Sequence, residues 1–498
     1  MSKIVNYSNK TFSKILEVLF LLALCAFVVY YWYIILKPYP IEFREGHSMS
    51  STTLLLNGVK PFTLDTYPEY YNSYGILFNL VVLPFVYLFG NSIVVYRVIN
   101  ELFYIGAILM ILLYRREKKV DVITLVLSLN LYLFFHLNTN VSVRPDGLGV
   151  FLYSSVIVMA LRNDFSWKYM ILVGIMSLLA FYTKTYYFLC WYLVSLGLLF
   201  KGCKKMLLSN VLFHVLFFIS LLVVNKIFPL YFYETVFAYG FSGDISSDVS
   251  DGYLTYSISQ MLRSLKIVLP MLILAVIICL RFVANGRFFD LFKNPMLYML
   301  LAVLIILVYP LGTNDGAYLT YHAQLMAPVF AIFVVENLDS TSRNSVALQM
   351  LLLVTVLYAI IFKIPIMKEC DNSKEWNKLT AYIENSDNVL CSEPLSPILQ
   401  IENRPVFDDG VSSFVYSFKP QSITTKLFGL DSCLVEKRNR YISDVKSGIK
   451  NGEYDLIITH DGRIVDKYID YDIYKAIDSV DVYLPCNWPL KVYVYASN

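Results

Sequence analysis

Four carboxylates, Glu42, Glu45, Asp65 and Glu69, follow the first apolar run of this sequence, all within residues 37–74. They contribute nothing to membrane topology, which follows lysine and arginine. A carboxylate at a water–lipid boundary can take the proton of an acceptor hydroxyl while the head group of a lipid-linked donor lies alongside. For any one of them alone, a solvated acidic loop is the plainer explanation. Two later cations suit the complementary task. Arg144, in Arg144-Pro145-Asp146, can hold a phosphate through both arms of its guanidinium. Lys184 interrupts an apolar stretch, and a charge at membrane depth costs several kcal/mol unless it snorkels or pairs. At the outer end of a helix it either reaches a phosphate as a point charge or snorkels to the interface. Asp146 is explained by its place in the first turn of a helix that Pro145 starts, where the helix dipole favours a negative side chain. His47 with Glu45 and Glu69 would suit a divalent ion, one imidazole and two carboxylates. His322, between Tyr321 and Gln324, reads as a hydrogen-bonding group. Asp470-Tyr471-Asp472 resembles a metal-binding DxD string but stands in the C-terminal segment, where it reads as incidental.

The elements that must position these residues are membrane helices. Of 498 residues, 57% are apolar and 16% charged, against about 25% charge in a soluble domain, and the mean hydropathy is +0.57. Apolar runs of about 20 residues, enough to cross roughly 30 Å of hydrocarbon, recur from Ile15 to Met367. From Lys368 to Asn498 the sequence turns polar and β-prone, which predicts a separate domain of about 130 residues. The expected division is therefore 1–367 and 368–498. A net charge of +3 without a basic stripe excludes a nucleic-acid binder. Eight cysteines form no CxxC pair, so a zinc site is not expected; Cys370, Cys391, Cys433 and Cys486 could pair in an oxidising compartment or stay reduced.

Loops rich in lysine and arginine sort to the cytoplasmic side, which leaves 37–74, 138–146, the turn at 183–185, 231–262, 312–322 and the C-terminal domain outside. The sides alternate only if the apolar stretch 75–90, short for a span, stays at the outer interface. About 11 spans result, near 15–36, 92–114, 121–137, 147–161, 168–183, 185–200, 207–229, 264–282, 295–311, 323–337 and 345–367. A helix over 47–57, ended by Asn57-Gly58, is expected on the membrane surface, aiming Glu45 at the interface. In the C-terminal domain the patterns predict a helix over 375–385, strands at 389–392 and 454–459, and a terminal hairpin.

The run from Arg44 to Arg97, with Glu45-Gly46, Leu56-Asn57-Gly58, Tyr74-Gly75, Phe89-Gly90 and Arg97, resembles the opening of membrane glycosyltransferases of the GT-C superfamily, in the branch of the protein O-mannosyltransferases and the aminoarabinose transferase of lipid A. Arg144-Pro145-Asp146, Thr183-Lys184 and Tyr321-His322-Ala323-Gln324 follow in the order that branch presents them. The resemblance implies a GT-C-like polytopic α-helical membrane protein, with juxtamembrane helices beside its spans and a C-terminal α/β extracytoplasmic domain. Glu45 matches the acidic catalytic base, though many relatives carry Asp-Glu where this chain has Arg44-Glu45. Arg144 and Lys184 would bind the donor phosphate, with Asp146, Glu69, Asp65, His47, Tyr321 and His322 in support. The implied partners are a polyprenyl-phosphate sugar donor, an acceptor glycan, lipid or protein, and the bilayer. A divalent metal is the one cofactor these residues leave open.

The activity to expect is inverting sugar transfer on the outer face of the cytoplasmic (inner) membrane. A transporter or flippase would show paired halves with interrupted helices, and no halves are visible. An oligosaccharide polymerase would show a large arginine-bearing outer loop late in the chain, and 312–322 is short with no arginine.

Overall fold

In a computed structural model of the chain, the residues described are 15–42 in part, 45–114, 131–132, 143–237, 272–308 in part, 318–337, 372–391, 396–402, 404, 431–460, 465–484 and 488–497. The expected spans near 121–137 and 345–367 lie almost wholly outside them, as does the expected boundary at 367/368. The helices in chain order are α1 (Cys25–Ile35), α2 (Glu45–Leu56), α3 (Ile76–Phe89), α4 (Ile93–Leu113), α5 (Asp146–Arg162), α6 (Trp167–Thr183), α7 (Leu189–Leu199), α8 (Cys203–Ile227), α9 (Pro295–Val308) and α10 (Tyr318–Asn337).

Among the described helices, α4 with 21 residues and α8 with 25 are long and apolar enough to cross a membrane. At 1.5 Å per residue each exceeds about 30 Å. Leu207, Leu212, Phe218 and Leu222 of α8 are more than half exposed, an apolar belt too large for water and suited to lipid. The shorter apolar helices pack around α5, whose Val150, Tyr153, Val156 and Ile157 are completely buried. The 75–90 stretch forms the 14-residue α3 with Pro84 inside it, about 21 Å long.

α2 departs from expectation. It starts at Glu45, and ten of its twelve residues are buried, so other parts of the protein cover it where an exposed surface helix was expected. Its serines and threonines explain this, because each finds a buried partner. Asn79 donates to the Ser48 carbonyl at 2.7 Å and to Thr52 at 2.9 Å, and Asn72 donates to Ser51 at 2.8 Å. A polar helix becomes buryable once its hydroxyls are hydrogen-bonded.

The C-terminal part continues with α11 (Ser373–Glu384), β1 (Val389–Cys391), α12 (Ser396–Ile401), α13 (Asp431–Lys450), β2 (Leu456–His460), β3 (Tyr474–Leu484) and β4 (Trp488–Ser497). The sheet order is β1-β2-β4-β3, with β1 and β2 parallel and the other pairs antiparallel. β2 is buried along its whole length because both sheet faces are covered. One face packs Trp376, Ile458, Val482 and Val494 against Ile34 of α1 and against Tyr39 and Ile41 just after it. The other packs Ile457, Tyr474 and Tyr495 against Val445 and Ile449 of α13. Gly46 of α2 sits so close to α12 that an added Cβ would meet Ser396 Oγ at 2.1 Å. Cys433 carries a free thiol; Cys370 and Cys486 lie outside the described residues.

Candidate active site

The first turn of α2 brings Glu45 onto Arg97 of α4. Arg97 Nε and Nη2 donate to the two carboxylate oxygens, each at 2.7 Å. The amides of Ile41 (2.8 Å), Glu42 (3.3 Å) and Val143 (3.0 Å) complete the set. Five donors meet about four lone-pair sites, and Glu45 is 0% exposed. The carboxylate expected to take a proton is thus already saturated. Arg97 also donates to the carbonyls of Lys37 and Tyr39, so the pair ties the chain entering the first outer loop to α4 and to the residue before Arg144. Arg44 lies outside the described residues.

A second group of charges gathers beside this knot. Arg144 pairs with Glu42, and Lys184 pairs with Asp146 at 2.9 Å. Asp146 Oδ1 also accepts the Tyr186 hydroxyl at 2.7 Å, while Tyr187 donates to Gln324 Oε1 at 2.7 Å and Gln324 donates to Tyr104 at 3.1 Å. The Lys184 ammonium stands 4.8 Å over the Tyr74 ring, and both cations act electrostatically on Asp146. Among the described residues, Arg144 Nε, Asp146 Oδ2 and the Tyr74 hydroxyl are buried without hydrogen-bond partners. Burial alone would pull the Arg144 guanidinium down, but the neighbouring Glu42 carboxylate outweighs it and the net shift is upward.

Local backbone explains the placement. Lys184 is extended (φ −163°, ψ 129°) and ends α6 before a single 3-10 turn over Thr185–Phe188. The open end of α6 receives the first outer loop, where Gly75 N–H donates to the Thr183 carbonyl at 3.1 Å. A Cβ at position 75 would meet the Tyr182 carbonyl oxygen at 2.0 Å, so only glycine permits the contact. Gly147 N–H donates to Asn100 Oδ1 at 2.7 Å and fixes the start of α5. Asp146 stands in the first turn of α5, as the sequence suggested, and its carboxylate also turns to Lys184.

The other expected residues scatter. Asp65 is 95% exposed and lies 3.9 Å from Lys437, and Glu69 is half-buried and acts electrostatically on Tyr454 of the C-terminal part. His47 Nε2 accepts the Ser73 amide at 2.8 Å. Glu45, Glu69 and His47 do not converge, and among the described residues no three His, Cys, Asp or Glu side chains form a metal-ligating group. The expected divalent-ion set does not fit. Tyr321 and His322 belong to α10, but their side chains lie outside the described part; Gln324, one residue beyond His322, is the one that reaches the site. Glu42 stood in the sequence as one of four candidate carboxylates, and Gln324 only as the end of the Tyr321-to-Gln324 motif. Glu234, 1% exposed, had no signal at all. It follows α8, and its Oε2 accepts the Asn72 amide at 2.9 Å.

Two solved structures match this architecture from end to end. ArnT from Cupriavidus metallidurans in the apo state superposes with a TM-score of 0.57 at 10% identity, over 96% of this chain and 97% of that one. The same protein bound to undecaprenyl phosphate gives 0.57 at 12% identity, over 95% and 98%. The chain has the ArnT fold. ArnT is a GT-C membrane protein, so the likeness to the aminoarabinose transferase branch holds at the level of fold, and the architecture is that of a polytopic membrane protein. No family model and no curated protein matches the sequence.

Proposed function

We propose that this protein transfers a sugar from a polyprenyl-phosphate donor to an acceptor glycan, lipid or protein at the outer face of the cytoplasmic membrane, with inversion. The observation that carries the reading is the meeting of Arg144–Glu42 and Lys184–Asp146 around Tyr74, with Arg144 Nε and Asp146 Oδ2 unsatisfied among the described residues. Unsatisfied buried polar atoms beside paired charges suit a site that awaits a polar ligand. ArnT, whose fold the chain shares, binds undecaprenyl phosphate.

In this reading Glu42, rather than Glu45, takes the acceptor proton as the hydroxyl oxygen attacks the anomeric carbon. The bond from that carbon to the phosphate oxygen breaks and the lipid phosphate leaves with the electron pair. Arg144 and Lys184 stabilise the charge that develops on it, and no step is assigned to a metal. Glu42 qualifies because it sits at the rim of the same charge group, 5% exposed, whereas using Glu45 would first require dismantling its five hydrogen bonds. Glu45 with Arg97 is the strut that holds Glu42 and Arg144 in register.

The test is mass spectrometry of envelope glycans from cells with and without the protein, followed by rescue. Wild type should restore a sugar-sized mass difference and Glu42→Gln should not. Rescue by Glu42→Gln, or identical glycans in both strains, would overturn the reading.

A further inference from the structure

Away from the charge group, the C-terminal α/β unit contains an open cavity of about 610 Å³. Its lining includes Lys446 and Lys450 from the end of α13, Lys467, and the turn Asp470-Tyr471-Asp472. The size is in the range of small-molecule sites. The DxD string that stood without a use in the sequence is therefore part of a cavity wall. Asp472 N–H donates to Asp470 Oδ1 at 3.0 Å, which holds the turn so that Tyr471, 68% exposed, presents a ring to solvent. That ring is braced by Tyr495 at 6.2 Å, edge to face. A second ring, Tyr468, carries the Lys446 ammonium 4.4 Å over its face.

The helix end explains only part of this arrangement. Lysines in a last turn complement the helix dipole, but Lys446 and Lys450 are four residues apart, where like charges repel. Lys467 is brought to the same cavity from a different element. No ion pair among the described residues neutralises any of the three. Among the described lining residues, three lysines against two aspartates leave one net positive charge. Aromatic faces, carboxylate acceptors and a single excess cation are what a hydroxyl-rich ring bearing an acidic group needs. A continuous polyphosphate or an anionic membrane surface would instead meet two carboxylates head on.

We infer that this cavity is a binding subsite for an anionic saccharide, the ring stacking on Tyr471, its hydroxyls meeting Asp470 and Asp472, and its acidic group meeting Lys450 and Lys467. As a subsite for an acceptor glycan the inference rests on the transferase reading; the binding itself does not. α13 links the two places. Near its start Leu434 packs with Phe62, Tyr67 and Tyr71 of the first outer loop, and Lys437 faces Asp65. Its last residues reach the cavity about 24 Å further on, at 1.5 Å per residue. The subsite holds inner units of a polymeric acceptor while its end reaches the charge group.

The experiment titrates the full-length protein, in nanodiscs of zwitterionic lipid, with trigalacturonate, maltotriose and inorganic phosphate by calorimetry. Trigalacturonate should bind about ten-fold or more tightly than maltotriose, the worth of one charge-assisted hydrogen bond, and more tightly than phosphate. Lys450→Gln with Lys467→Gln should erase that preference, and Tyr471→Ala should weaken both saccharides. Glu42→Gln should bind trigalacturonate as wild type does, so a failed transferase reading would leave this result standing. No trigalacturonate binding, equal binding by the double lysine variant, or phosphate binding as tightly as the saccharide would overturn the inference, whatever the transfer assay shows.

Discussion

Arg97 clasps both oxygens of Glu45 at 2.7 Å, and neither side chain is exposed. A buried pair broken on one side costs about 3–5 kcal/mol, since it strands the remaining charge. Glu45→Gln is therefore expected to lower the melting temperature and the yield of monodisperse protein in detergent. A Glu45→Gln protein that melts like wild type but has lost turnover would return the base role to Glu45.

Glu42→Gln should behave in the opposite way. Its partner Arg144 keeps 15% of its side chain exposed, so the stranded charge is less costly than at Arg97. Turnover should fall by about 10²–10⁴, the usual contribution of a positioned base, with a smaller loss of melting temperature than Glu45→Gln produces. Unchanged turnover at saturating donor would remove Glu42 from the chemistry.

Much of the frame was legible because solvent dictates it. A lysine within a long apolar run must end a helix or pair, and Lys184 does both. The alternation in 480–495 gave the β3–β4 hairpin for the same kind of reason. The saturation of Glu45 was not legible, because it depends on Arg97, 52 residues downstream, folding back onto it. The burial of α2 depended likewise on Asn72 and Asn79 reaching its hydroxyls. α13 escaped notice because its apolar stripe, Leu434, Tyr441, Val445 and Ile449, is hidden among charges that read as a solvated segment.

Lys184 and Asp146 invite a double-mutant cycle. Lys184→Met and Asp146→Asn each strand a buried partner, so the double variant should be more stable than the sum of the two losses by about 0.5–3 kcal/mol. If the cation also holds donor phosphate, the double variant will recover stability without recovering affinity for undecaprenyl phosphate. Recovery of both would make the pair purely structural.

Gly46→Ala tests the docking of α12 on α2. The added methyl would lie 2.1 Å from Ser396 Oγ and 2.9 Å from Pro397 Cδ. A serine rotamer can move aside but the proline ring cannot, so α12 must shift and the 2.8 Å bond from Gln400 Nε2 to the Gly46 carbonyl must lengthen. Faster amide exchange across 396–402 is expected, with exchange in α4 unchanged. Unaltered exchange in α12 would mean that the contact is easily relieved.

Glu234 makes stability depend on pH. Burial raises its carboxyl from 4.5 to about 8, partly opposed by the Asn72 amide. Below about 4.5 the group is protonated in both folded and unfolded chains and contributes no slope. Between about 4.5 and about 8 the folded chain keeps a proton that the unfolded chain has released, so stability falls as pH rises, by at most about 1.4 kcal/mol per pH unit. Above about 8 both forms are ionised and the loss levels off. Glu234→Gln keeps an oxygen to accept the Asn72 amide and removes the titration. Its melting temperature should therefore vary less between pH 5 and pH 8 than that of wild type and exceed it at pH 8. Parallel curves for the two proteins would show that Glu234 stays ionised in the fold, through a partner that offsets the cost of its burial.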